Sequence, residues 1–230
     1  MGFLMKLLPK IIYRIILKFG GRKTLKFFIR ISDLSLQMAN MLACKLEGGT
    51  HPKHRIMRYH EWFMQRIRPD MDVLDIGSSR GELTFDLSKA AKSVTGVEID
   101  ENNYRYALNN NSGSNIEYIL GDINQIDLEK EFDVVVMSNV LEHIEDRAKI
   151  LNKVNRLTKD SGKLLIRVPA FDRWWWIPYK KEIGVEWRSD ASHFIEYTEE
   201  GLRQELKEAD FKILSLEKMW GEIYVECEKQ

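Results

Sequence analysis

The run of residues 73–82, Val-Leu-Asp-Ile-Gly-Ser-Ser-Arg-Gly-Glu, constrains the fold of this chain more than any other feature. Apolar residues lead to Asp75 and then to a loop bounded by Gly77 and Gly81, a pattern typical of a β-strand that passes through a tight loop into a helix. The dinucleotide fingerprint has glycines at offsets of zero, two and five, whereas Ser79 stands at the second of these positions. We therefore expect the loop to bind a small ligand other than a dinucleotide pyrophosphate.

Short apolar runs alternate with amphipathic segments along the rest of the chain. Strands are predicted near 71–76, 93–98, 116–121, 132–137 and 162–168, with helices near 80–90, 101–110 and 145–157. A further helix near 202–209 precedes two strands, near 211–218 and 221–228, joined by a tight hairpin. This order predicts an α/β fold with a Rossmann-like seven-stranded, mostly parallel sheet and an antiparallel C-terminal strand.

The N-terminal region differs in charge from the rest of the chain. The chain has no net charge, but residues 1–30 carry eight basic side chains and no acidic one, namely Lys6, Lys10, Arg14, Lys18, Arg22, Lys23, Lys26 and Arg30. Apolar residues between them predict amphipathic helices with a break at Gly20–Gly21, and the helical pattern continues to Leu46. We expect residues 1–50 to form a helical extension and residues 51–230 to form the α/β domain.

The basic extension has three interpretations. It can lie on an anionic membrane surface, bind a partner protein, or pack on its own domain with its charges in solvent. Its most apolar stretch is far shorter than the roughly 20 residues of a membrane-spanning helix. Two cysteines without metal-ligand spacing fit a reducing compartment. We expect a cytoplasmic protein that can be peripheral at the inner face of the membrane.

Acidic residues follow the second and third predicted strands. Glu98 lies 21 residues after Gly77, close to the interval at which α/β nucleotide sites place a carboxylate on ribose hydroxyls. Asp122 follows the third strand, and Asp100 is positioned to cap the next helix. Each acid alone is more often a cap or turn residue than a ligand. Three loops in the correct strand order favour a ligand site.

The loop at 75–81 resembles the first motif of the class I S-adenosylmethionine (SAM) methyltransferases, acid-x-Gly-x-Gly-x-Gly, with Ser79 replacing the middle glycine. The resemblance implies that SAM is the cofactor and S-adenosylhomocysteine the product. It implies that the glycines let the backbone approach the methionyl end, Asp75 reaches the ammonium group, Ile99 packs on adenine and Asp122 accepts from the adenine amine. The implied cofactor residues are Asp75, Gly77, Ser78, Ser79, Gly81, Glu98, Ile99, Asp122, Ile123 and Ser138.

The fourth strand ends in Ser138 and continues into Val140-Leu141-Glu142-His143, which resembles small-molecule methyltransferases, including those of ubiquinone biosynthesis. The Pro-Pro-Tyr motif of enzymes that methylate bases and amides is absent from the sequence, which disfavours that chemistry. An alcohol or phenol acceptor must lose a proton, and His143 is the first candidate for the general base, with His193 the second. The alternative is that His143 is a structural histidine.

Residues 169–198 contain four of the six tryptophans, and their His-x-x-x-Tyr-Thr ending resembles methyltransferases of cell-surface glycan and lipid-linked pathways. Aromatic side chains beside basic ones suit a sugar face or an anionic acceptor. The alternative is a lid that excludes water or docks a subunit. The candidate acceptor-contacting residues are Trp174, Trp175, Trp176, Tyr179, Arg188 and Tyr197.

Taken together, the sequence predicts a SAM-dependent methyltransferase that acts at oxygen on a small or lipid- or glycan-linked acceptor. The alternatives are a noncatalytic SAM-binding adaptor that docks through the basic arm, and an RNA or protein methyltransferase. Nucleic acid is a disfavoured partner because the body of the chain is acidic. No metal is expected, since His51, His54 and His60 have no evident carboxylate partner in sequence. The sequence does not indicate an oligomeric state.

Overall fold

The computed structural model describes residue 10 and residues 13–230, which separate into two compact units. The first unit ends at Met57 and the second is Arg58–Gln230. This division lies seven residues beyond the boundary at residue 50 that we expected. Part of the basic arm, including Lys6, lies outside the described residues.

The first unit is helical. Its described helices are α1 at 13–19, α2 at Arg22–Leu46 and α3 at Lys53–Met57, so the predicted break at Gly20–Gly21 is confirmed. After α2 the chain turns through Gly48 and Gly49, both at positive φ where glycine has no steric penalty. No helix in the described part of the chain combines the length and apolar character that crossing a bilayer requires.

The second unit is built on one seven-stranded sheet. Its strands are β1 Asp72–Ile76, β2 Ser93–Glu98, β3 Ile116–Leu120, β4 Phe132–Ser138, β5 Thr158–Pro169, β6 Phe211–Met219 and β7 Glu222–Lys229. The spatial order is β3-β2-β1-β4-β5-β7-β6, in which β7 alone is antiparallel to its neighbours. This confirms the predicted Rossmann-like, mostly parallel sheet with an antiparallel C-terminal strand.

Six helices and one short turn of 3₁₀ helix accompany the sheet in the second unit. The helices are α4 Tyr59–Met64, α5 Glu82–Ser88, α6 Glu101–Asn110, α7 Arg147–Leu157, α8 Trp176–Glu182 and α9 Glu199–Glu208, and the 3₁₀ turn is Leu141–His143. Asp100, Asp146 and Thr198 each cap the helix that follows by accepting a backbone N–H bond. These caps fix where the helices begin, immediately beside the strand ends.

Strands β1, β4 and β5 supply the centre of the core, with side chains such as Leu74, Val135 and Leu164 fully buried between the layers. Near-continuous apolar strands of this kind are expected where helices cover both faces of a parallel sheet. Burial of these side chains is the main source of the rigidity of the sheet. The loops at its carboxyl edge are therefore held on a fixed scaffold.

Candidate active site

A cleft of about 1090 Å³ opens at the carboxyl ends of β1 to β4. The chain order reverses between β1 and β4, which is the position where open α/β sheets bind ligands. Residues that line the cleft come from the loops after all four strands and from the 3₁₀ turn. They include Gly77, Ser79, Glu98, Ile99, Asp122, Ile123, Asn139, Val140 and His143.

Glu98 joins the loops that follow β1 and β2. Its Oε2 accepts a hydrogen bond from the backbone N–H of Ser79 at 2.8 Å, and its Oε1 accepts one from the backbone N–H of Asp100, also at 2.8 Å. Ser79 itself has φ of +50°, in the left-handed region that favours glycine. The serine therefore adopts the conformation expected of the missing glycine, and Glu98 stabilises it there.

The two glycines of the first loop are required by contacts within the protein. A Cβ on Gly77 would lie 2.5 Å from Val140 Cγ2, and one on Gly81 would lie 2.4 Å from the Tyr118 hydroxyl oxygen. Both glycines also have positive φ. The absence of a Cβ thus lets Val140 and Tyr118 pack against this loop, and the expected close approach of its backbone to a ligand stays a prediction.

Four of the expected cofactor residues do not line the cleft. The buried Asp75 accepts a hydrogen bond from Thr84 Oγ1 on α5 at 2.6 Å and does not line the cleft, so its contact with the ligand stays a prediction. Burial raises the pKa of Asp75 to about 7. The Oγ of Ser78 is buried, Ser138 Oγ accepts from Arg167 Nη1 at 3.3 Å, and Gly81 begins α5.

The residues that do line the cleft fit SAM in chemistry. Ile99 is 69% exposed, so an apolar side chain lies open beside the Glu98 carboxylate, as a flat base next to a ribose diol requires. Asp122 lies on the adjacent loop after β3, where its Oδ1 accepts from the backbone N–H of Asn124 at 2.9 Å. Asp100 and Asn103 add further polar groups at the start of α6.

Two histidines meet at the edge of the cleft. His143, in the 3₁₀ turn, lines the cleft, and His193 packs edge-on against it with ring centroids 4.4 Å apart. Nδ1 of His143 is 2.9 Å from Ser192 Oγ, which donates to Asp190 Oδ1 at 2.7 Å. Burial, followed by the neighbouring His193, lowers the pKa of His143. The sequence placed these histidines 50 residues apart, and the fold brings them into contact.

Glu142 lies beside this histidine pair and is completely buried. Neither of its carboxylate oxygens has a hydrogen-bond partner among the described residues. Burial is the largest cause that raises the pKa of Glu142 to about 8. The backbone oxygen of Glu142 accepts from the backbone N–H of Phe194 at 2.8 Å, which ties the 3₁₀ turn to the segment after β5. An unpartnered buried carboxylate is costly and calls for a functional explanation.

The segment 170–198 differs from the expected acceptor surface. Tyr197 is fully buried, and its hydroxyl donates to Glu205 Oε2 at 2.8 Å, so its expected role as an acceptor contact is corrected to that of a core residue. Arg188 forms an ion pair with Glu186 and donates to the His193 backbone oxygen at 2.8 Å. In the described structure none of these side chains lines the cleft.

The four remaining candidates form one aromatic cluster. Trp175 and Trp176 have ring centroids 4.8 Å apart, and Trp174 and Tyr179 complete the group. Trp174 and Trp175 are exposed, and none of the four lines the cleft in the described residues. Their role in acceptor binding stays a prediction.

Sequence reasoning missed several residues of the site. Asn139 has φ of +55° and follows β4 directly, which is a position where an asparagine often signals a sharp turn. Ser192 lines the cleft and orients His143, yet nothing in its sequence context marks it. Glu142 was part of the quoted motif, but its burial depends on tertiary packing that no local pattern encodes.

Comparison with known proteins agrees with this geometry. Residues 74–166 match the methyltransferase domain family. A ubiquinone biosynthesis O-methyltransferase from Rickettsia bellii is 30% identical over 100 residues, which are 42% of this chain and 41% of that protein. The chain thus spans less than half the length of this curated relative.

Solved structures share the fold. The magnesium protoporphyrin IX methyltransferase of Synechocystis with bound S-adenosylhomocysteine superposes with a TM-score of 0.61 at 18% identity, covering 77% of this chain and 83% of that one. An N-methyltransferase of Bradyrhizobium japonicum, also with S-adenosylhomocysteine, gives 0.58 at 16% identity, covering 75% and 86%. The fold is that of class I SAM-dependent methyltransferases.

Proposed function

Because this chain carries a class I SAM-dependent methyltransferase domain, we propose that it transfers a methyl group from SAM to an oxygen atom of a small or lipid- or glycan-linked acceptor. The observation that carries the proposal is His143, which lines the same cleft as the Glu98 and Asp122 loops. SAM supplies a methyl group on a cationic sulfur, and its leaving group needs no acid. The names of the curated relatives, O-methyltransferases, support oxygen as the acceptor atom.

The residues of the cleft have different roles in this reaction. Glu98 and Ile99 hold the ribose and the base, while Asp122 lies on the adjacent loop within the same cleft. His143 activates the acceptor hydroxyl. When it acts as the general base, its imidazole takes the proton of that hydroxyl. Ser192 and Asp190 keep that ring in one orientation. Positioning the acceptor oxygen in line with the methyl group supplies much of the rate.

The test of the reaction is transfer of labelled methyl from SAM into separated lipid, glycan, small-molecule, protein and RNA pools. We expect label in the small-molecule, lipid or glycan pool, bound through oxygen. Label confined to protein or RNA would overturn the acceptor class. Tight SAM binding with no transfer to any pool would support a noncatalytic adaptor instead.

Two variants test the roles of cleft residues. Glu98→Ala should weaken SAM binding by about 100-fold, since it removes a buried carboxylate and leaves the Ser79 and Asp100 N–H groups unpartnered. His143→Ala should leave SAM affinity unchanged and slow transfer by about 100-fold. The controls are Glu117→Ala, an exposed acid on β3, and His51→Ala, neither of which lines the cleft. Full activity in His143→Ala would refute its role.

The α2 helix supports a membrane-surface location for the arm. Apolar side chains at Phe27, Ile31, Leu34 and Met38 are all exposed and recur at helical spacing. Basic side chains recur separately at Arg22, Lys26 and Arg30. A helix with exposed apolar and basic sides suits the interface of an anionic bilayer. A lipid-linked acceptor would then be present at the same surface.

A further inference from the structure

Glu142, His143 and His193 form a compact set of ligand-type side chains. One oxygen or nitrogen of each lies within 4.8 Å of the corresponding atoms of the other two. Zinc bonds of about 2.1 Å in tetrahedral geometry place ligand atoms about 3.4 Å apart, so small side-chain rotations would bring the set to coordination distance. Two imidazoles and a carboxylate are ligands of the catalytic type, which leaves a fourth position open.

We propose that Glu142, His143 and His193 bind one divalent transition-metal cation of the zinc class, with the open position facing the acceptor hydroxyl. This site departs from the sequence-based expectation of no metal. Its catalytic use rests on the proposed function, whereas the binding of the cation does not.

The buried carboxylate is the strongest argument for a cation. Glu142 has 0% exposure, and both of its oxygens are without a hydrogen-bond partner among the described residues. The nearby Arg167 is paired with Glu222 and makes no hydrogen bond to Glu142, and its own Nη2 also lacks a partner among the described residues. A bound cation would satisfy the orphaned oxygens, since buried charges are normally paired or coordinate metals.

The two imidazoles are oriented as metal ligands usually are. Nδ1 of His143 contacts Ser192 Oγ, which donates to Asp190, and Nδ1 of His193 lies 3.5 Å from Glu196 Oε1. The Nδ1 side of each ring is therefore held by a carboxylate, directly or through a hydroxyl, which leaves Nε2 to bind a cation. Carboxylate–histidine–metal arrangements of this kind fix the tautomer of the ligating imidazole.

The charge around the set is favourable to a cation. The carboxylates near the set are Glu142, Asp190, Glu196 and Glu222, and the last two of these pair with Arg173 and Arg167 respectively. Within this group the carboxylates therefore outnumber the guanidiniums that pair with them. A divalent cation would reverse that imbalance and attract an anionic acceptor oxygen.

Chemically, the cation would change how the acceptor is activated. The hydroxyl oxygen binds the open position, its O–H bond breaks, and the proton passes to a solvent water molecule. The resulting oxyanion forms the new O–CH₃ bond as the C–S bond of the donor breaks, and the electron pair of that bond stays on sulfur. His143 then acts as a ligand, and the direct proton transfer described above is not needed.

The test uses the full-length protein, freed of metal by a chelator and then titrated with Co²⁺ or Zn²⁺ alone, without SAM or acceptor. We expect one equivalent to bind, a visible absorption band from Co²⁺ and a higher melting temperature. Glu142→Gln, which keeps the side-chain size, and His193→Ala should each weaken binding at least tenfold, while His51→Ala should not. Retained SAM binding by the variants shows that they are folded.

The outcomes separate the site from the function. Absence of saturable binding to the wild-type chain, or equal affinity in Glu142→Gln and His193→Ala, would overturn the metal site. Methyl transfer that is undiminished after metal removal would overturn the activating role. If metal binds as expected but no pool accepts methyl, the proposed function fails and the site stands.

Discussion

At the scale of single residues, the first loop shows how one departure from a motif is accommodated. Ser79 adopts φ of +50°, at a cost of about 1 kcal/mol for a residue with a Cβ, while its backbone N–H is held by Glu98. Gly77 and Gly81 have no such freedom, because their missing Cβ atoms face Val140 and Tyr118. The three positions therefore differ in whether they can accept a residue with a Cβ, although the motif has glycine at all three.

This difference predicts that Gly81→Ala lowers the free energy of unfolding by about 2 kcal/mol or more. The new Cβ would lie 2.4 Å from the Tyr118 hydroxyl and 3.0 Å from Ala107 Cβ, and φ would remain positive. Ser79→Ala is the matched control, and it should change stability by less than about 0.5 kcal/mol because the backbone already carries the strain. Urea denaturation measures both, and equal losses would refute the packing explanation.

Asp75 predicts a pH dependence of stability. Burial raises its pKa to about 7 in the folded protein from 3.8, so between these values the folded state holds more protons than the unfolded state. Its stabilising contribution is full below pH 3.8 and is lost as pH rises through 7. The Asp75→Asn variant cannot titrate at this position. As pH rises from 4 to 8, its free energy of unfolding should therefore increase relative to that of the wild type by up to about 4 kcal/mol. Parallel pH profiles in denaturation experiments would contradict this.

At the scale of elements, the strands were the most predictable part of the chain. β2 has the predicted bounds, 93–98, because a buried parallel strand reads as a short apolar run. The helical stretch between residues 53 and 64 is broken at Arg58, whose φ is +50°. Tyr59 then packs under the Arg167 guanidinium, 3.7 Å from its ring centroid. That contact comes from β5, over a hundred residues away, so no local pattern could reveal it.

The candidate site could likewise be predicted only in part from the sequence. The positions of Glu98, Ile99 and Asp122 in the cleft could be predicted because Glu98 ends β2 and the other two follow β2 and β3 within two residues, and strand ends meet at one edge of a parallel sheet. The burial of Tyr197 was not predicted because an aromatic residue four positions after a histidine looks the same in sequence whether it faces a cleft or the core. Only the three-dimensional structure shows that its hydroxyl donates a hydrogen bond to Glu205 on α9 and that its side chain faces the core.

The α2 helix predicts binding to anionic vesicles. Replacing Phe27 and Ile31 by serine should weaken binding of the full chain to phosphatidylglycerol-containing vesicles at least tenfold, because each apolar side chain contributes about 1.5–3 kcal/mol when buried. Gln37→Ser with Asn40→Ser is the control, since both residues are exposed polar positions on the same helix. Vesicle sedimentation provides the measurement, and equal binding by both double variants would refute an interfacial role.

At the scale of the whole molecule, the division after Met57 predicts independence of the two units. Residues 58–230 alone should unfold in one cooperative transition and bind SAM with an affinity within about twofold of the full chain, because every residue that lines the cleft lies in this unit. Calorimetry and titration with SAM check both statements. A truncated chain that is unfolded or cannot bind SAM would show that the first unit is part of the catalytic domain.

The bridge between Ala170 and Tyr197 closes the base of the tryptophan-rich segment. The Phe171 N–H donates to the Tyr197 oxygen at 2.8 Å and the Tyr197 N–H to the Pro169 oxygen at 3.1 Å, so the segment leaves and rejoins the sheet at almost one point. With its base closed in this way, the part of the segment between Phe171 and Ser189 can change in length or composition without moving β5 or α9, while residues 192–194 stay tied to the 3₁₀ turn. A change confined to the tryptophans would therefore alter the exposed surface of this segment and leave the loops after β1, β2 and β3 in place.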